Sequence, residues 1–261
     1  TGLVAAAKLG ADTAFIGNLA DDASGQFLRA DFEKYGVKTD LIATLSGYRS
    51  FSSALLLAGD SGTRTCVFDR GNLPPTVLNA AQKTAIAEAE ILMVDGNDLD
   101  AAVEGATIAR AAGKRVLYDC GGNYPNVARL LAASDILIPS EEFALAETGC
   151  KTAADAAKAL FDTYHPAVVV ITQGKRGGIL FDGTKPIAYP IYPARVVDSN
   201  GAGDVFHGAF AAALLRGYDF LTCCHFASAT SALKCTGIGA RESVPDFETV
   251  RTYLKENGYE L

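Results

Sequence analysis

Two aspartates flank a short glycine-rich turn in the C-terminal part of the chain. Asp198 and Asp204 are separated by five residues, the last three of which are Gly201, Ala202 and Gly203. Glycine carries no Cβ, so a turn of small residues lets an anion approach the backbone amides closely. A carboxylate beside such an anion can accept a proton from a reacting group. The spacing therefore predicts an anion hole with Asp204 as a general base.

The residues after this turn predict the helix that positions it. From Val205 onward apolar residues recur at intervals of three and four, and Gly217 provides a stop. The first amides of a helix lack internal acceptors and its dipole is positive at that end, so the turn would present donors to an anion. The alternative is that Asp204 only complements the helix dipole and the glycines only turn the chain.

A second candidate for anion binding is the run Thr-Gln-Gly-Lys-Arg-Gly-Gly at 172–178, which follows a β-branched segment. Backbone donors combined with two cations suit phosphate groups. The run is not a Walker A loop, because Val169 and Arg176 stand where that motif needs glycine and serine or threonine. The alternative is a basic hairpin turn between strands 168–172 and 179–181. The candidate phosphate-binding residues are Thr172, Gly174, Lys175, Arg176 and Gly177.

Short β-branched runs alternate with helical patterns along most of the chain. The runs predict strands at 14–17, 91–95, 116–119, 136–139, 168–172 and 179–181, and helices at 101–112, 126–133 and 152–164. This alternation predicts an α/β fold, a Rossmann-like, largely parallel sheet with helices on both faces and ligands beyond the carboxyl ends of the strands. Residues 41–73 differ, since runs at 53–58 and 64–68 around Gly-Asp-Ser-Gly at 59–62 predict a hairpin.

Composition limits the class of protein. The chain has 261 residues, 49% hydrophobic and 20% charged, with a net charge of -7, which argues against nucleic acid or an anionic membrane as partner. It has neither an apolar run of membrane-spanning length nor a basic-then-apolar leader, and its six cysteines form no CxxC pair. We therefore expect free, mostly buried thiols and a cytoplasmic location.

Residues 197–210 resemble the C-terminal signature of the ribokinase-like (PfkB-type) sugar kinases, roughly DTxGAGDxFxGAF, with Ser199 in place of the usual threonine. Shorter matches at 9–11, 17–25, 171–177 and 243–245 follow the order of that family. The resemblance implies a ribokinase-like main domain at 1–40 and 74–261, and a small β lid at 41–73 that closes over the sugar. In several relatives the lid also pairs two subunits, so a homodimer is expected.

The resemblance also implies the reaction: transfer of the γ-phosphoryl group of ATP to a sugar hydroxyl, with Asp204 as base and 201–203 as the anion hole. It assigns Ser228 to the nucleotide together with the loop at 172–177, and it assigns Arg70 and Asn72 to the sugar with Asp204. The family carries a first strand with a sugar-binding aspartate before the match to Leu9, so we expect further residues upstream of Thr1.

Two metal ions follow from the resemblance. Relatives carry an NxxE motif that organises Mg²⁺ through water, and the equivalent here has Ser140 and Phe143 in its first and last places. Either Glu141 or Glu142 substitutes for the missing glutamate, or the ion rests on the phosphates and solvent. The alternative is that Ser140 caps a helix and the glutamates complement its dipole. Relatives also bind K⁺ beside the anion hole. The positions implied for this ion are Asp198, Asn200, Lys234, Gly237, Gly239 and Ser243.

The acceptor stays open between several classes. Residues 64–65 and 68–74 look more like ketohexokinase-type members, which favours a ketose or a furanose. A nucleoside or sugar-acid kinase is the alternative, although the run at 119–123 lacks the arginine of the sugar-acid kinase pattern DxNxR. A non-catalytic protein that binds a sugar or a nucleotide with the same fold is a further alternative.

Overall fold

The structure of the chain, a computed structural model, describes residues 1–57, 64–122 and 125–261. The chain divides into two compact units, one formed by Thr1–Asp12 with Leu78–Leu261 and the other by Thr13–Val77. The lid predicted at 41–73 falls within the second unit, which also takes in residues 13–40. The predicted turn at 59–62 lies outside the described residues.

Strands and helices alternate along most of the described chain. The strands are β1 (Thr13–Ala14), β2 (Gly17–Ala20), β3 (Val37–Lys38), β4 (Ile42–Leu45), β5 (Ser52–Leu57), β6 (Arg64–Asp69), β7 (Ile91–Val94), β8 (Arg115–Cys120), β9 (Ile136–Pro139), β10 (Val168–Thr172), β11 (Gly178–Phe181) and β12 (Ile187–Tyr189). The helices are α1 (Gly2–Lys8), α2 (Ala23–Lys34), α3 (Ala80–Glu88), α4 (Leu99–Ala111), α5 (Ala128–Ala132), α6 (Glu141–Thr148), α7 (Ala153–Tyr164), α8 (Ala202–Leu215), α9 (Phe220–Lys234) and α10 (Phe247–Glu256).

The first unit is built on one six-stranded sheet in the order β12-β11-β10-β9-β8-β7. Strands β7 to β10 are parallel, whereas β11 and β12 continue the sheet in antiparallel fashion. Along β8 and β10 successive residues are fully buried, as expected when helices cover both faces. The predicted strands from 91 to 181 and the mostly parallel α/β fold are confirmed.

Helix α8 packs against α9 and against the sheet. Phe206 and Phe210 share a core with Phe226 of α9 and with Ile138 and Val170 of the sheet. Helix α1 approaches the same helix backbone to backbone, since a Cβ on Gly208 would lie 2.1 Å from the carbonyl oxygen of Gly2. The first turn of α8 is thus held on a rigid layer. The helices predicted at 101–112, 126–133 and 152–164 are confirmed, although α5 is shorter than expected.

In the second unit, the single strand predicted at 14–17 is wrong. The chain changes partner there: β1 pairs in parallel with β3, and β2 pairs in parallel with β4. Between the two strands Phe15 stacks on Phe32 of α2, with 5.0 Å between the ring centroids, which turns the chain out of one straight strand. The predicted hairpin is confirmed for the described residues, with β5 and β6 antiparallel and Ser52 opposite Asp69.

No described helix combines the length and the apolar composition that a membrane crossing requires.

Candidate active site

The glycine-rich turn leads into the first turn of α8, where the anion hole is predicted. The N-cap residue, Gly201, has φ of 73°, a left-handed conformation that favours glycine, and the helix has no side-chain cap. Ala202 and Val205 donate their amides to Ser199 and Gly201, whereas the amides of Gly203 and Asp204 bond to no acceptor among the described residues. Two amides at the positive end of the dipole are therefore free to bind an anion.

The space in front of these amides is open. A Cβ built on Gly203 would meet no described atom within 4 Å, in contrast to Gly201, where it would lie 2.9 Å from Ala240 Cβ. Gly203 and Asp204 are both exposed. An oxyanion can therefore reach the two free amides with the Asp204 carboxylate at its side, which is the arrangement that acid–base chemistry on a bound phosphate requires.

A buried histidine joins this turn to the carboxyl ends of two strands. His207 lies one turn after Asp204, with Nδ1 2.6 Å from the carbonyl oxygen of Gly203 and Nε2 2.9 Å from that of Ile138 in β9. The Oδ2 atom of Asp119, in β8, lies 3.3 Å from the same Nδ1. Burial raises the pKa of Asp119, the positive charge of His207 lowers it, and the carboxylates of Asp204 and Asp95 raise it again.

The segment before the hole is fixed by the residues that were predicted to bind K⁺. Both carboxylate oxygens of Asp198 accept backbone amides, from Asn200 at 2.8 Å and from Gly239 at 3.0 Å. The Ser243 hydroxyl donates to the Gly239 carbonyl at 2.6 Å. The ammonium group of Lys234, completely buried, donates to the carbonyl oxygen of Asp198 at 2.8 Å.

These contacts do not fit an additional monovalent cation well. The Lys234 ammonium already brings a positive charge to the Asp198 backbone, and a second cation beside it would be repelled. The remaining residue of the predicted set, Gly237, donates its amide to the Lys234 carbonyl at 3.3 Å. The structure thus brings the six residues together, but as a cluster whose polar groups bind one another.

The predicted nucleotide loop follows β10 at the same edge of the sheet. It forms a 3₁₀ turn, Gly174–Arg176, in the hairpin between β10 and β11, so the alternative prediction of a hairpin turn is correct for its geometry. Gly174 and Gly177 have φ of 55° and 82°, and Lys175 is exposed. Thr172 lies beside Ser140 across a parallel bridge, which connects the loop to β9 and through His207 to α8.

Glu141 is engaged by the nucleotide loop. Its Oε1 atom accepts from Gln173 Nε2 at 2.7 Å, and its Oε2 atom pairs with Arg176. Ser140 caps α6 through a hydrogen bond from the Phe143 amide at 3.2 Å, as the alternative reading of this segment predicts. Among the described residues no group of three or more His, Cys, Asp or Glu side chains is arranged to hold a metal ion.

Ser228 lies on α9, which packs beside the anion hole. Its hydroxyl donates to the Pro190 carbonyl at 2.7 Å, and one turn later Ser231 donates to the carbonyl of Ala202 at 2.9 Å. Of the three predicted sugar-binding residues, Asp204 belongs to the first unit, and Arg70 and Asn72 belong to the second. There Asn72 Oδ1 accepts the Arg49 amide at 2.7 Å, and the Arg70 guanidinium lies over the Phe68 ring, 5.5 Å from its centroid.

The prediction missed His207 and Asp119 as parts of this site. The signal was weak: the histidine follows Asp204 by three residues, which places both on one side of a helix, and Asp119 ends a predicted strand. The thiols are free in the described structure and four of the six are buried, as expected, whereas Cys150 is half-buried and Cys66, on β6, is exposed. Residues 65–69 of that strand are all exposed.

The sequence profile of the pfkB family carbohydrate kinases matches residues 2–246. The chain is 30% identical over 261 residues to the ribokinase of Arabidopsis thaliana, covering 95% of this chain and 69% of that protein. It is 26% identical over 281 residues to the 5-dehydro-2-deoxygluconokinase of Clostridium perfringens (strain 13 / Type A), covering 97% and 81%.

The fold is similar to that of a solved relative. The structure of Arabidopsis thaliana ribokinase complexed with ribose and ATP superposes with a TM-score of 0.88 and 29% sequence identity, covering 97% of this chain and 85% of that one. The mostly parallel sheet, the glycine turn before α8 and the match over residues 2–246 all indicate the same family. The chain belongs to the pfkB family of carbohydrate kinases.

Proposed function

We propose that this chain transfers the γ-phosphoryl group of ATP to a hydroxyl of a sugar. The observation that carries the proposal is the uncapped first turn of α8, where two unpaired amides open on the same space as the Asp204 carboxylate. Phosphoryl transfer needs little covalent help from a protein. It needs positioning, neutralisation of charge and a group that accepts the hydroxyl proton.

In this proposal Asp204 accepts the proton of the attacking hydroxyl as the bond to phosphorus forms. The anion hole is the turn Gly201 to Gly203 at the start of α8; the Ala202 amide is bonded to the Ser199 carbonyl, so the open amides of Gly203 and Asp204 are the donors left to stabilise the charge of the transferring group. The dipole of α8 acts in the same direction. No nucleophile of the protein is required, because the sugar hydroxyl attacks directly.

The remaining phosphates of ATP would lie along the loop after β10. Lys175 is exposed, so its ammonium group can bind a phosphate directly. Arg176 pairs with Glu141, so its guanidinium must either leave that carboxylate or bind a phosphate and the carboxylate together. Thr172, Gly174 and Gly177 shape the loop, and Ser228 contributes from α9. The similarity to a ribokinase solved with ribose and ATP supports ATP as the nucleotide.

Mg²⁺ supplies charge neutralisation on the ATP phosphates when it is bound. We assign the water-mediated protein contact to Glu141 or Glu142 in the first turn of α6. Glu141 is held by Gln173 and Arg176, while Glu142 is exposed, so a hydrated ion can be reached by either carboxylate. We leave K⁺ out of the reaction, because Lys234 already provides a cation at the predicted position.

For the acceptor we propose a furanose or a ketose, with Arg70 and Asn72 as contacts from the second unit, whose β5–β6 hairpin would act as the lid. The similarity to a ribokinase that binds ribose supports a pentose. A sugar-acid kinase is the second candidate, since the chain is also similar to a 5-dehydro-2-deoxygluconokinase. The resemblance to ketohexokinase-type members stays a prediction.

We further propose that the protein is a homodimer that pairs through the β5–β6 hairpin. Leu56, Val67 and Phe68 are each more than half exposed on this hairpin, and Phe51 stacks on Phe68 with 6.0 Å between centroids. Apolar side chains exposed on a two-stranded sheet favour a partner surface. Val67→Glu should convert the dimer to a monomer in sedimentation analysis.

We also propose a cytoplasmic location. The free cysteines support a reducing compartment such as the cytoplasm.

The test is a panel of pentoses, hexoses, ketoses, sugar acids and nucleosides incubated with Mg²⁺ and ATP. The release of ADP and the phosphorus NMR signal of the product are both measured. We expect ADP release that depends on one class of sugar and a phosphomonoester product in equal amount. Binding of sugar and ATP in calorimetry without turnover would contradict the proposal and favour a non-catalytic binding protein.

A further inference from the structure

His207 is buried and both of its ring nitrogens face carbonyl oxygens. Only 5% of the residue is exposed, while Nδ1 lies 2.6 Å from Gly203 O and Nε2 lies 2.9 Å from Ile138 O. A carbonyl oxygen only accepts hydrogen bonds, so each nitrogen must be a donor to make a favourable contact. A neutral imidazole has one donor and one acceptor, whereas an imidazolium has two donors.

A neutral ring would direct a nitrogen lone pair at a carbonyl oxygen in a space that water does not enter. Burying a polar atom without a hydrogen-bond partner is unfavourable, so this arrangement favours protonation of the ring. A buried cation needs an opposite charge as well. Asp119 provides it, with Oδ2 3.3 Å from Nδ1.

Asp119 also interacts electrostatically with two further carboxylates and with the amino group of Thr1, which opposes them. The two carboxylates are those of Asp95, which follows β7, and of Asp204, from the first turn of α8. Strand β9 presents the Ile138 carbonyl to the ring. With three carboxylates nearby, a cation in their midst lowers the repulsion between Asp119 and Asp204.

We propose that His207 is an imidazolium that ties the first turn of α8 to the end of β9, and that it is the positioning residue for Gly203 and Asp204 in the reaction proposed above. Gly203 O is one end of this link, and the next peptide unit carries the Asp204 amide and side chain. A fixed Gly203 carbonyl therefore fixes the orientation of the open amides and of the base.

The link joins the two halves of the reaction site. One of its ends is at the anion hole, and the other is in the strand that leads to Ser140, beside Thr172 and the nucleotide loop. The imidazolium also adds positive potential close to the bound phosphate. It does not touch the reacting atoms, so its effect passes through Gly203 and Asp119.

The protonation state can be measured without any substrate. The chain has three histidines, so long-range proton–nitrogen NMR spectra of the imidazole rings are simple to assign with single variants. At about pH 8, above the usual histidine pKa of about 6.5, we expect His207 to show two protonated ring nitrogens and His165 to show one. A neutral His207 ring at this pH would overturn the proposal, whether or not the chain phosphorylates a sugar.

The positioning role is tested with His207→Gln, which is neutral and cannot donate to both carbonyls. We expect kcat per folded protein to fall about 100-fold, the KM for ATP and sugar to change little, and the amide NMR signals of Gly203 and Asp204 to shift. The control is His165→Asn, at an exposed left-handed position that Asn tolerates. A His207→Gln enzyme with unchanged kcat would overturn the role even if the ring is charged.

Discussion

Lys234 directs its ammonium nitrogen at the carbonyl oxygen of Asp198, 2.8 Å away, from a side chain with no exposure to solvent. The Asp198 carboxylate is in turn bonded to the amides of Asn200 and Gly239. The residues that lead into the anion hole are thus fixed on both sides by groups of the chain itself. A buried ammonium also places a positive charge behind the segment that we propose binds phosphate.

This relationship predicts how the reaction responds to monovalent cations. We expect the rate of the unmodified enzyme to be the same within about twofold in K⁺ and in a large organic cation at equal ionic strength, because Lys234 occupies the position. In Lys234→Ala the charge is lost and a cavity remains, so activity should fall and be partly restored by K⁺. The measurements are initial rates and a thermal shift with K⁺ for both proteins.

Lys234→Met is the matched control for side-chain volume. It removes the hydrogen bond from Lys234 to the Asp198 carbonyl, which should lower the free energy of unfolding by about 2 kcal/mol, and it should respond to K⁺ less than the alanine variant. A strong activation of the unmodified enzyme by K⁺ would contradict this interpretation of the cluster.

The role of Asp204 predicts a selective loss of turnover. Asp204→Asn keeps the size of the side chain but cannot accept the hydroxyl proton, so kcat should fall by at least about 1,000-fold while the Kd for ATP changes little. Rates come from the ADP assay and binding from calorimetry. The control is Asp100→Asn, an exposed carboxylate in the first turn of α4, which should keep full activity. A Kd for ATP that rises in step with the loss of kcat would point to a binding role instead.

Two glycines of α8 should respond to alanine in opposite ways. Gly203 faces open space, so Gly203→Ala should fold with unchanged or higher stability, yet its methyl group enters the anion hole and should lower kcat about 100-fold. A Cβ on Gly208 would lie 2.1 Å from the Gly2 carbonyl oxygen, so Gly208→Ala should lower the free energy of unfolding by about 3 kcal/mol. Thermal unfolding and kinetics on the folded fraction separate the two. Equal losses of stability in both variants would contradict the geometry of the hole.

The fold and the catalytic turn could be predicted because their signals are local. The β-branched runs of β8 to β10 and the glycines before α8 are properties of a few consecutive residues. The link from His207 to Ile138 spans 69 residues and depends on how α8 lies on the sheet, which no local pattern encodes. Lys234 was predicted for its backbone position, and its buried ammonium was missed because charged side chains are rarely fully buried. The break between β1 and β2 was missed because it depends on their pairing with the different strands β3 and β4, which no local pattern encodes.

We expect a substitution in the nucleotide loop to change the affinity for ATP and not the affinity for the sugar. Lys175→Ala removes an exposed charge that has no structural role in the loop hairpin, so the KM for ATP should rise about tenfold with the KM for sugar unchanged. Lys185→Ala, an exposed lysine between β11 and β12, is the matched control and should leave both constants as they are. If the two variants raise the KM for ATP equally, the effect is one of net charge and the loop is not the phosphate site.

The lowered pKa of His225 should make the stability of the protein depend on pH. Its Nδ1 atom lies 2.7 Å from the Tyr192 hydroxyl, its ring stacks on Tyr259 with 3.9 Å between centroids, and burial lowers its pKa, with Asp219 opposing the shift. The pKa of His225 is lower in the folded state than its unfolded value of about 6.5. Between these two pKa values the folded state binds fewer protons than the unfolded state. The free energy of unfolding therefore falls as the pH falls from about 6.5 toward the folded pKa. We therefore expect the Tm of the unmodified protein to fall more between about pH 7 and pH 5 than that of His225→Gln. His165→Asn should retain the full slope because its ring is exposed, and parallel slopes for all three proteins would show that His225 is not protonated on unfolding.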